Sequence, residues 1–136
     1  MTQLEKVLKW LHLCPYLNTC AMETDTTIAY PANAGLYPHE QKILKQKKDI
    51  QGNRTAVCRE TYLLRCVLPE GQEAADRLQQ IRNWVFTQNI SGVLPGLGAH
   101  ENVEAEDGRL ERTVQVGMSI YVLTLITEFE KEMKGE

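Results

Sequence analysis

The sequence predicts an α+β domain, and three observations carry that prediction. Residues 72–87 place Ala74, Leu78, Ile81 and Val85 on one stripe at helical spacing, with Trp84 beside it. Residues 54–68 alternate instead. Ala56, Cys58, Tyr62, Leu64 and Cys66 point one way, and Thr55, Arg59, Thr61 and Arg65 the other, as in a half-buried strand. Gln51-Gly52-Asn53 joins that strand to an arm over 41–50, with Gly52 free to take positive φ, so the two arms read as a hairpin.

From the N-terminus, Thr2 and Glu5 form a capping box, and Leu4, Val7, Leu8 and Leu11 repeat at helical spacing. Pro15 bars continuation, which sets the end of this helix near Leu13. Residues 20–25 read as irregular, Thr26-Thr27-Ile28-Ala29-Tyr30 as a short strand, and Pro31 to Pro38 as a loop. After the hairpin, Pro69-Glu70-Gly71 turns the chain into the long helix. Glu60 interrupts the apolar face of the second arm, a break expected where the strand passes the sheet edge.

The run Gly92-Val93-Leu94-Pro95-Gly96-Leu97-Gly98 stops the long helix. No Lys-Ser/Thr follows its glycines, so it is not a P-loop. A dinucleotide fingerprint needs strand before and helix after, and the order here is reversed. The run reads as a helix C-cap and connector. Beyond it the chain is strand-like to Phe129. Asp107-Gly108 is the strongest local turn signal and Val116-Gly117 the second. Residues 120–129 are the most β-prone run and are expected to form a central strand. Residues 130–136 are charged and expected to fray.

A chain of 136 residues has the size of one domain, 1–136, able to bury about two-thirds of its unfolded surface without a disulfide or metal staple. The N-terminus lacks the apolar core of a signal peptide, and no stretch approaches the ~20 apolar residues of a membrane span. The expected compartment of synthesis and folding is the cytoplasm. Cys14, Cys20, Cys58 and Cys66 lack zinc-site spacing. Cys58 and Cys66, eight residues apart on one strand, would lie roughly 26 Å from each other, beyond disulfide reach. They read as small buried hydrophobes. A Cys14–Cys20 bridge is sterically conceivable but disfavoured by the compartment.

A catalytic site needs a nucleophile, a base and a charge stabiliser brought together. His12, His39 and His100 show no metal-ligand spacing, and neither HExxH nor G-x-S-x-G occurs. No catalytic residue, cofactor or metal site is assigned. The net charge of −3 argues against nucleic acid as the main partner. Charge is nevertheless uneven. Lys42, Lys45, Lys47, Lys48 and Arg54 cluster about the hairpin turn, and Glu101, Glu104, Glu106 and Asp107 cluster later. Lys45, Lys47, Lys48 and Arg54 on one copy, meeting Glu101, Glu104, Glu106 and Asp107 on the next, are the candidate subunit contact. The acidic group lacks the calcium-loop pattern.

The order of elements, together with Leu4-Glu5-Lys6-Val7 through Trp10-Leu11, Cys14-Pro15-Tyr16-Leu17, the Gln51-Gly52-Asn53 hairpin and Trp84 with Gln88-Asn89 and Gly92-Val93-Leu94-Pro95-Gly96-Leu97-Gly98, resembles a known group. It is similar to the small tail-terminator and tail-completion proteins of long-tailed bacteriophages, most nearly those of Gram-positive prophages labelled minor capsid or tail-terminator proteins. The resemblance covers most of the chain by element order, and its sequence-specific part is short. It departs between Glu101 and Met118, where the group's pattern favours a turn near Gln115 to Gly117 over Asp107-Gly108. It implies a tail-terminator-like fold, an antiparallel sheet packed by an N-terminal helix and one long central helix. It also implies a homo-oligomeric ring, usually a hexamer, without catalysis. Such a ring caps the tail tube at the head-proximal end of the virion, ends tube polymerisation and joins the head. Its partners are then the tail-tube protein and head–tail connector proteins. The alternatives are a head-completion or connector role, or a small cytoplasmic enzyme or ligand-binding domain, which requires a concave pocket with convergent polar groups.

Overall fold

A computed structural model of the chain describes residues 2–17, 22–24, 34–115 and 117–133. The elements run α1 (Gln3–Leu11), β1 (Met22–Thr24), β2 (Ala34–Lys48), β3 (Arg54–Pro69), α2 (Gln72–Ser91), β4 (Ala99–Ala105), β5 (Arg109–Gln115) and β6 (Met118–Met133). The strands form one sheet in the order β1-β2-β3-β6-β4, with β5 also on β6. Every pairing is antiparallel except β1 on β2. The spine is β3 against β6, in register from Arg54↔Met133 to Pro69↔Met118 without a shift.

Period-two patterning explains the spine. Ala56, Cys58, Glu60, Tyr62, Leu64 and Cys66 are buried, while the residues between them are half-exposed. Opposite them on β6, Phe129, Thr127, Leu125 and Leu123 complete the same face. The α2 stripe Ala74, Leu78, Ile81 and Val85 is buried, and its Leu78, Ile81 and Val85 pack into the core shared with that face, as do Val7, Trp10 and Leu11 of α1. Trp10 and Trp84 meet at 4.8 Å between ring centroids, and the Trp10 indole N–H donates to the Val93 carbonyl at 2.7 Å. That bond ties α1 to the glycine-rich connector. The other sheet face carries cross-strand ion pairs instead: Arg59–Glu128 at 2.7 Å, Lys47–Glu130 at 2.8 Å and Arg65–Glu111 at 2.7 Å.

Several local expectations are corrected. The first helix ends at Leu11, although its Thr2/Glu5 capping box forms as read. Met22–Thr24, read as irregular, is a strand because it finds a distant partner in Ala34–Leu36, which no local pattern announces. The strand read at Thr26–Tyr30 lies outside the described residues. The loop read over Pro31–Pro38 is strand from Ala34 onward, anchored by buried Leu36, and the register shift between Pro38 and Glu40 absorbs the proline. The long helix continues through Ser91, one turn past Thr87, and Gly92 ends it with φ 76°.

Glu60 sits in the middle of β3 rather than at an edge. It is buried, and the Tyr62 hydroxyl donates to Glu60 Oε1 at 2.6 Å. Burial, and this bond to a carboxylate, push the Tyr62 hydroxyl pKa upward. Residues 130–133, expected to fray, extend β6 because β3 pairs with them as far as Arg54. Asp107-Gly108 is not a hairpin turn. β4 and β5 lie end to end along the same edge of β6, and residues 106–108 only interrupt them. The hairpin falls at Gly117, with φ 81°, where the resemblance places it. Gly108 instead packs closely on α2, where a Cβ would stand 2.8 Å from Leu78 Cδ1 and oblige that side chain to shift.

Candidate functional site

The chemistry-bearing surface has two parts, on opposite edges of the sheet. The first is the β2–β3 arm. Every residue from Pro38 to Arg54 is exposed, among them Ile43, Leu44 and Ile50. The turn at its tip is braced. The Asp49 carboxylate accepts from the Asn53 amide at 2.8 Å and from Asn53 Nδ2 at 3.1 Å, and the Asp49 amide donates to the Asn53 carbonyl at 2.9 Å. Those hydrogen bonds to the charged form hold the Asp49 carboxyl below its ordinary pKa. Gly52, at φ 89°, closes the turn. The brace presents Ile50 to solvent, fully exposed.

The second part is a groove of about 410 Å³ between α2 and β4, lined by Arg82, Asn83, Phe86, Asn89, Val103 and Glu104 among others. Phe86 and Ile90 lie off the buried stripe of α2 and are 65% and 69% exposed. The groove floor is held by side chains that reach the outer edge of β4. Asn89 Oδ1 accepts from the Val103 amide at 2.9 Å, and Arg82 Nε donates to the Ala105 carbonyl at 3.0 Å. These bonds occupy backbone groups that a further strand would use. A second groove, of about 380 Å³, lies between α1 and the connector, with Lys6, Lys9, Leu13 and Val93 on its walls.

The eight charged residues singled out from the sequence divide on inspection. Lys45, Lys48 and Arg54 are exposed on the arm and make no ion pair among the described residues. Lys47 is committed within the chain to Glu130. Glu130 also meets His100 Nδ1, and Lys47 first, then His100, lower its carboxyl pKa. Glu101 is a structural cap. Its carboxylate accepts from the Gly96 amide at 3.0 Å and the Leu97 amide at 2.9 Å, which shapes the connector. Asp107 pairs with Arg82 at 2.6 Å. Glu104 and Glu106 are exposed and make no ion pair among the described residues. The structure therefore brings the basic set together on the arm and leaves Glu104 and Glu106 as the open acids beside the groove.

Sequence reasoning missed Ile50 and Phe86. The available signals were an aliphatic residue inside a polar turn and an aromatic off the apolar stripe. Among the described residues no cluster of three His, Cys, Asp or Glu side chains is arranged to hold a metal ion. Cys14, Cys58 and Cys66 are buried and form no disulfide, and burial raises the Cys14 pKa. No described helix is long and apolar enough to cross a membrane. No protein-family model matches the chain, and its sequence matches no curated protein.

Proposed function

We propose that this chain is a structural, non-enzymatic component of a bacteriophage or prophage tail. It assembles into a homo-oligomeric ring, a hexamer by the resemblance, that caps the tail tube and offers the head-joining surface. The observation that carries the ring is the placement of unlike charge on opposite sheet edges, with Lys45, Lys48 and Arg54 on the β2–β3 arm and Glu104 and Glu106 on and beside β4. A contact between two different patches, repeated by rotation, closes a ring, and each copy supplies one patch of each sign. The terminator role rests on the likeness in element order and in the Trp84 to Gly98 segment. The partners are then the tail-tube protein and the head–tail connector, without direct nucleic-acid readout, and the location is the head-proximal end of the tail.

The test adds the purified chain to polymerising tail-tube protein from the same genome. The expected result is shortened tubes with protein at one end and a single closed stoichiometry by native mass spectrometry. Tubes of unchanged length, with the chain bound instead to connector protein, would replace the terminator role by head completion.

A further inference from the structure

We infer that the arm tip of one copy seats in the α2–β4 groove of the next, with Ile50 packed on Phe86 and the arm cations over Glu104 and Glu106. The inference rests on the ring reading for its geometry, and it names the apolar centre of the contact that charge alone does not supply. Exposed ion pairs contribute little each, so unlike patches set register and rate while apolar burial holds the complex.

Three observations select these two surfaces. Ile50 is fully exposed on a turn that is braced by the Asp49–Asn53 bonds, so it is presented in a fixed position and loses little freedom on docking. The groove has an exposed aromatic on one wall and a carboxylate on another, and an aromatic in a concave site is the usual centre of a protein contact. The charges also match. Lys48 and Arg54 flank the knob and Lys45 lies further down the arm, while Glu104 lines the groove, whose cation Arg82 is paired with Asp107, and Glu106 follows the end of β4.

Strand addition is a poorer use of these edges. Asn89 and Arg82 already occupy outward backbone groups of β4. β2 bears Pro38, four lysines and two register shifts, features that discourage edge pairing. A second arm in the arm's place would bring like charges together. The groove of another copy, with Glu104 on its wall and Glu106 beside it, is therefore the surface that the arm fits.

The test mixes two full-length variants, Ile50→Cys and Asn83→Cys, under mild oxidation. The expected product is the mixed disulfide dimer, in large excess over either homodimer and over a control pair of Leu110→Cys with Asn83→Cys. In parallel, Ile50→Ser and Phe86→Ser should each raise the concentration for half-assembly at least tenfold in sedimentation, with Leu110→Ser unchanged. No mixed dimer at concentrations where the wild type is oligomeric would overturn the inference and leave the ring standing. A mixed dimer accompanied by an open ladder of masses would uphold the contact and overturn the ring. A wild type that stays monomeric at all concentrations, with no mixed dimer, would overturn the inference.

Discussion

Gly98 is the position where one added methyl should do most harm. It precedes β4 and lies against the end of β6. A Cβ there would stand 2.8 Å from Phe129 Cδ2 and well inside van der Waals contact of the Glu130 carbonyl oxygen. Phe129 is only 1% exposed and cannot swing away, and the Glu130 carbonyl belongs to the backbone of the central strand. Relief must come from backbone movement at the mouth of β4, where Ala99 pairs with Glu130. Forcing a methyl into a closed contact costs about 1–3 kcal/mol, and more where the neighbours cannot yield. The Gly98→Ala loss is placed at about 3 kcal/mol, because backbone and a buried ring oppose it together. Gly96 makes the internal comparison. It has open space around it but φ of 87°, so Gly96→Ala carries only left-handed strain of about 1–2 kcal/mol. Urea unfolding followed by Trp10 and Trp84 fluorescence measures both. A Gly98→Ala loss below about 0.5 kcal/mol, or one smaller than that of Gly96→Ala, would refute the steric argument.

Leu78→Ala, on the buried stripe of α2, should cost about 2–5 kcal/mol in the same assay, whereas a loss under ~0.5 would show that the stripe does not close the core. All four cysteines should titrate as free thiols under denaturing, non-reducing conditions, and a stable count of two would contradict the buried thiols at Cys14, Cys58 and Cys66. The Glu130 carboxyl pKa is lowered in the folded chain by Lys47 and His100, so its stabilising contribution is present above the ordinary value of 4.5 and is lost as pH falls through the lowered one. Glu130→Gln should therefore flatten the acid limb of the stability curve, and a wild-type profile that is unchanged by this substitution would remove Glu130 from that account.

Periodicity and punctuation made much of the fold legible. The Thr2/Glu5 box, the α2 stripe and the 56–66 alternation are local signals, and each stands where the sequence places it. What could not be read depends on partners distant in the chain. β1 exists because Ala34–Leu36 lies beside it, and β6 reaches Met133 because Arg54 pairs there. The Asp107-Gly108 signal misled because a glycine can serve packing as well as turning, and Leu78, thirty residues earlier, is what Gly108 accommodates. The charge clusters were legible as composition but not as availability. Nothing in the spacing of Glu101, Lys47 or Asp107 tells that the first caps the connector and that the others are paired within the chain.

The pairing of those three residues narrows how copies of the chain can meet. With Lys47, Glu101 and Asp107 engaged internally, the members of the two sequence clusters left for a partner are Lys45, Lys48 and Arg54 against Glu104 and Glu106. The β2 arm resists open-ended pairing through proline, lysine and register shifts, and the β4 segment of the opposite edge does so through Asn89 and Arg82. The proposed terminator role would favour blocking strand-to-strand growth, because an edge that accepted any strand would extend rather than end an assembly. The proposed contact between a braced knob and a groove is a side-chain contact, and such a contact is satisfied only at one relative orientation. Repetition of one fixed rotation is what closes a ring. Arg82→Ala and Asn89→Ala together should expose the outward amide of Val103 and carbonyl of Ala105. The double variant should form higher aggregates that bind thioflavin, where the wild type forms none. A double variant that remains as soluble and as discrete as the wild type would show that these side chains do not guard the edge.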